Sequence, residues 1–273
     1  MISQQQNVMD AAAFVTDMNE PQSPPPFADT SVPATSLTAR LMNVFAAPGD
    51  VFEEITTRQP VASDWLLPLL VSCLAGVVFI WVVFSQENIL RPIREAQEQA
   101  IQKQVDAGNM SKEQGQKAID LIAKIMNPTL IKLLSSVSVV TGGFGITFLT
   151  ALVVWLLGTK GFKGQFSYLQ AVEMTCLAGM ISALGAIVAM LLAVAMGNLA
   201  MTPGPALFLH TFDQTNRVHR LLSQLNVMTL WYVAVMALGL SRLSRVSWGR
   251  AALWAFGIWA AVVALVVLPG WGR

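Results

Sequence analysis

Glu173 is the only acidic side chain inside an apolar run of this 273-residue chain. A carboxylate at such a position is a functional candidate by default, because charge is costly in hydrocarbon and is kept only where it is paired or used. It lies about one turn into its run, beside Tyr168 and Gln170, where headgroup water is within reach. A structural or interfacial role is therefore favoured over a proton or ion site. His210, Asp213 and His219 could offer metal ligands, but a zinc site needs three or four, and this spacing is not that of a zincin. Polar interfacial contacts are the better reading. Cys73 and Cys176 sit in separate apolar runs without a Cys-x-x-Cys pattern and read as small buried apolar groups. The glycine-rich Thr141-Gly-Gly-Phe-Gly145 lacks the Lys-Ser/Thr ending of a phosphate loop, so close helix approach or a kink is expected instead. No Gly-x-Ser-x-Gly, His-Glu-x-x-His or intramembrane aspartate pair occurs. The expectation is a non-enzyme, with no cofactor and no metal.

The elements that must position these groups are membrane spans. The chain is 54% hydrophobic and 12% charged, about half the charge of a typical soluble domain. The fold class expected is all-α, a polytopic membrane helical bundle with about five transmembrane helices. The spans are placed near 65–84, 133–157, 171–196, 221–240 and 251–268. Residues 59–268 form the membrane domain. Ahead of it, residues 1–35 read as a disordered polar and proline-rich tail, and Met1–Pro33 holds no Lys or Arg. A signal peptide would need a basic start and an apolar core, and neither is present. Residues 36–58 read as two short amphipathic helices broken at Pro48-Gly49-Asp50, suited to the membrane interface as a packed lead-in. Leu37, Leu41, Val44 and Phe45 share helical spacing in the first of them.

Between the first two spans, residues 91–126 carry mixed charge over two apolar stripes. Gly108-Asn109 interrupts them, and Ser111-Lys-Glu-Gln114 has capping-box spacing. This reads as an antiparallel helical hairpin outside the lipid. Its mixed charge, with a net charge of +1 overall, points away from nucleic acid. In the third span Gly185, Ala189, Ala193 and Gly197 recur at steps of four, the pattern by which lipid-embedded helices approach. With Glu173 and the hairpin, this face is the candidate interaction surface. The expected partners are the lipid bilayer and other membrane proteins, or a second copy of the chain.

The last two spans are joined by the basic link Ser241–Arg250, with Arg242, Arg245 and Arg250 and no acid. Cations in short links favour the cytoplasmic side. An inside N-terminus places Arg40, Arg58, Lys160, Lys163 and the three link arginines together, against Arg217, Arg220 and Arg273 in the short outer segments. The expected location is the bacterial inner membrane, multi-pass, with a cytoplasmic N-terminus.

The lead-in Leu41-Met-Asn-Val-Phe-Ala-Ala-Pro-Gly-Asp-Val-Phe-Glu-Glu-Ile55, five spans, and Leu230-Trp-Tyr-Val-Ala-Val-Met-Ala-Leu-Gly-Leu240 before the basic link resemble bacterial members of the Yip (Ypt-interacting protein) family. The likeness covers roughly Leu37–Leu268. Asn226 departs from it, standing where the family pattern has an aspartate. The resemblance implies a non-enzymatic scaffold or assembly factor for other membrane proteins, ABC exporters among them. Membrane shaping is a further family role. The alternative from the residues themselves is a small-solute or ion transporter, for which Glu173 is the one intramembrane group.

Overall fold

The protein is described by a computed structural model over residues 35–125, 127–209 and 216–267. By its internal contacts the chain divides into Met1–Ser36 and Leu37–Arg273, and the fold below is that of the second unit. The N-terminal tail expected over residues 1–35 falls almost wholly outside the described residues, as do His210, Asp213 and Met126. Among those described, every regular element is a helix.

Two short helices open the fold. α1 (Leu37–Ala46) is followed after one residue by α2 (Pro48–Thr57). Pro48 starts α2 where its missing N–H costs nothing, and Asp50 sits in the positively polarised first turn. The apolar face expected of this lead-in is spent on protein: Val44, Phe52 and Ile55 are fully buried against the bundle. These helices are part of the core.

The spans are α3 (Ala62–Val83), α6 (Pro128–Leu156, continued by a π turn to Gly161), α7 (Tyr168–Met196), α9 (Val227–Ser244) and α10 (Trp248–Val267). Among the described residues five helices are long and apolar enough to cross a membrane. α7 is central, packing on α3, α9, α6, α1 and α2, while α10 rests mainly on α9. Residues 171 to 178 of α7 are buried on every side, which is how an all-round apolar helix behaves inside a bundle.

Local chemistry decides the ends. Ser167 and Gln170 form a reciprocal capping box at the start of α7, with bonds of 3.2 and 2.8 Å. Gly197 ends the helix with φ +65°, as a C-terminal glycine often does. Asn127 accepts from the amides of Thr129 and Leu130, so α6 starts at Pro128, earlier than the apolar run. The fourth span also differs from its expected limits. Leu221–Gln224 belongs to a separate helix, α8 (Arg217–Gln224), and Asn226 caps α9 by accepting from Met228 N at 2.9 Å. At its far end α9 runs on through Arg242, so the link to α10 is only residues 245–247.

The charged segment folds as expected into a hairpin, α4 (Glu87–Asp106) against α5 (Lys112–Ile125). Ser111 and Gln114 make the predicted capping box, at 3.2 and 3.0 Å. The base of α4 is fixed by Ile89, which joins Val83 of α3 and Ala193 of α7 in a small cluster of its own.

Candidate functional site: a buried ion cluster

Position 40 falls on the apolar side of α1, three residues after Leu37 and four before Val44. A charged side chain there must find a partner in the core. Arg40 is buried, and its guanidinium donates to Asp64 Oδ1 at 2.9 Å and to Glu173 Oε1 at 3.2 Å. Arg58, the residue that ends α2, donates to the other oxygen of Asp64 and to the same oxygen of Glu173. Glu54 adds a third carboxylate, with Oε1 at 3.7 Å from Arg58 Nε and 4.0 Å from Arg40 Nε. Each contributor is placed by a helix end or an interior turn. Asp64 lies in the first turn of α3 and also accepts from Val61 N at 3.3 Å. Glu173 lies in the second turn of α7, within the stretch buried on all sides.

The cluster therefore binds four elements through two cations and three anions. Burying ions costs several kcal/mol each, and mutual attraction offsets this only when geometry is good and the remaining polar atoms are satisfied. Satisfaction is incomplete here. Arg40 Nε, Arg58 Nε, Glu54 Oε1 and Glu173 Oε2 are buried without hydrogen bonds. Such an arrangement is weak as a source of net stability and strong as a register device, since any misplaced element leaves a buried charge alone. Its members are arginines and carboxylates alone. Among the described residues no three of His, Cys, Asp and Glu converge as metal ligands.

The other sequence candidates are dispersed. Gly185 faces Met228 of α9, where an added methyl carbon would lie 3.1 Å from Met228 Cβ. Ala193 is buried at the base of the hairpin, and Gly197 lies against Asn88. Ala189 is half-buried between them. Three of the four small residues thus serve contacts within the chain. Tighter approaches occur at positions without the repeat: a methyl on Gly239 would sit 2.5 Å from Met174 Sδ, and one on Gly76 would sit 2.6 Å from Val139. In the glycine-rich run only Gly143 approaches a neighbour, Cys73, while Gly142 and Gly145 face open space. α6 continues unbroken through them. Cys73 and Cys176 are free thiols and both line a cavity of about 220 Å³ with Ser72, Thr175 and Tyr232. His219 lies on α8, remote in sequence from the cluster.

Arg40 and Arg58 carry weight in the sequence only as topology markers, and Asp64 carries none. The signal for Arg40 was its place in an apolar stripe. Glu173 has two guanidinium partners and no solvent exposure. A family model described as the Yip1 domain matches residues 42–268. No curated protein matches the chain, and no solved structure does.

Proposed function

The chain belongs to the Yip1 family of membrane proteins, and on that premise we propose that it is a scaffold or assembly factor that acts on other integral membrane proteins through its α4–α5 hairpin. The observation that carries this reading is the unspent apolar surface of the hairpin. Ile101 and Val105 pack on Gly115 between the two helices, but Leu121 and Ile125 on α5 are 57% and 47% exposed. On α4, Ile93, Ala96 and Ala100 line a groove of about 660 Å³ that closes against Gly197 and Leu199 beyond the end of α7. Apolar side chains outside the spans and rimmed by charge are the signature of a protein-binding face. The partner class proposed includes ABC exporters, and the setting proposed is a bacterial inner membrane with the lead-in helices on the cytoplasmic side.

The transporter alternative loses its main support, because Glu173 Oε1 is held by two guanidinium groups and the residue has no solvent exposure. The scaffold reading is tested by placing a photo-crosslinking side chain at Ala96, Ala100 or Leu121 in living cells. One integral membrane protein should be captured in stoichiometric yield, and Leu121→Glu should abolish the capture. Crosslinking to lipid alone, or a chain that remains uncoupled at all three positions, would overturn it.

A further inference from the structure

The membrane face that carries the lead-in helices has a second feature, independent of the hairpin. α9 ends in a Schellman-type turn: Arg245 N donates to Arg242 O at 3.3 Å, and Val246 N to Ser241 O at 3.1 Å. The Ser241 hydroxyl closes the same loop by donating to Val246 O at 2.7 Å. The left-handed position of this motif is usually glycine. Here it is Arg245, at φ +53°. The other non-glycine residue with positive φ among those described is Lys163, in the link that packs Gly164 onto Ser244. Both left-handed sites on this face are filled by cations, and backbone strain retained at such positions marks a side chain kept for what it does.

The turn forms one wall of a cavity of about 420 Å³ lined by Glu53, Leu238, Ser241, Arg242, Arg245, Val246 and Trp248. Arg242 pairs with Glu53 of α2 at 3.4 Å. Among the described residues no acid lies within ion-pair distance of Arg245. The notch thus keeps a net positive charge beside an exposed Trp248, at the level where α9 leaves and α10 enters the apolar layer. Leu238 and Val246 add apolar side chains to a lining that is otherwise mostly polar.

We propose that this notch holds the phosphate of one anionic phospholipid headgroup, with Arg242 and Arg245 on the phosphate oxygens and Trp248 beside the glycerol region. Guanidinium groups match phosphate oxygens in pairs, and tryptophan favours the headgroup level. A lipid is favoured over a soluble phosphate because the notch lies where two apolar spans end, beside an exposed tryptophan.

The test uses the full chain, delipidated in neutral detergent and transferred to nanodiscs of phosphatidylglycerol or of phosphatidylcholine. Native mass spectrometry should show one tightly retained phosphatidylglycerol, and its discs should raise the unfolding temperature where phosphatidylcholine discs do not. Arg245→Gly and Arg245→Asn remove the cation while suiting the left-handed backbone, so folding is preserved. Each should weaken lipid retention about tenfold, the worth of one charge-assisted hydrogen bond. Inorganic phosphate alone should give no protection. Equal retention by both variants, equal protection by phosphatidylcholine, or full protection by inorganic phosphate would each overturn the proposal.

Discussion

Arg40 and Glu173 are 133 residues apart in the chain and 3.2 Å apart in the fold, joined where almost no solvent reaches either side chain. The pair welds a short N-terminal helix to the central span. Asp64 and Arg58 extend the weld to α3 and to the end of α2, so the lead-in is locked at a single register.

Truncating one member should expose the asymmetry of a buried cluster. Glu173→Leu leaves two guanidinium groups without their shared acceptor and should destabilise the protein by about 3–5 kcal/mol. Replacing Arg40, Arg58, Asp64 and Glu173 together by apolar residues of similar size should cost far less. Unfolding midpoints in detergent micelles check both variants. A mild effect of Glu173→Leu alone would show that water or another group already compensates the carboxylate.

The close packing of the links gives a sharper contrast between glycines. A methyl group on Gly164 would lie 2.8 Å from Ser244 Cα, backbone that cannot swing away. Gly164→Ala should therefore cost about 1–3 kcal/mol by overpacking. Gly142 and Gly145 have no neighbour there, and Gly142→Ala or Gly145→Ala should be neutral or stabilise α6 by up to about 1 kcal/mol. Thermal melts of the three variants decide it.

Much of this architecture was legible because membrane spans advertise themselves by length and apolarity, and capping boxes by spacing. Ser111 and Gln114 could be paired from sequence alone, since the motif is local. The ion cluster could not, because its members come from four elements and only tertiary packing brings them together. Arg40 was readable as an anomaly in an apolar stripe, but nothing local could name its partners. The small-residue repeat at Gly185, Ala189, Ala193 and Gly197 marked a packing face without saying that Met228 and Asn88 of the same chain would cover part of it. Gly239 and Gly76, isolated in sequence, make closer approaches than the repeat does.

Asn226, where the resemblance leads one to expect an aspartate, has a local role in the fold. Its side chain accepts from Met228 N and so begins α9. Asparagine and aspartate are nearly equal as N-caps, whereas alanine is about 1 kcal/mol worse. Asn226→Asp should leave stability unchanged within a few tenths of a kcal/mol, and Asn226→Ala should lower it by about 1 kcal/mol. Equal loss in both would show that the charge, and with it some role beyond capping, matters at this position.

The hairpin offers a test of how far it is mechanically separate from the spans. Gly115 is buried in the α4–α5 interface, where an added methyl carbon would lie 2.5 Å from Val105 Cγ2. Gly115→Val places two further methyl groups against the same side chain and should pry the helices apart, at a local cost of about 1–3 kcal/mol. Beyond the cluster around Ile89, the hairpin shares little packing with the membrane bundle. The damage should therefore stay local. Hydrogen exchange should accelerate through α5 and the outer half of α4, while the amides of α7 and the unfolding midpoint of the spans stay as they were. If the hairpin docks a membrane partner, the same variant should lose the crosslink at Leu121 without losing membrane insertion. Global unfolding of the bundle would mean instead that the hairpin is part of its core, and the docking face would have to be sought elsewhere.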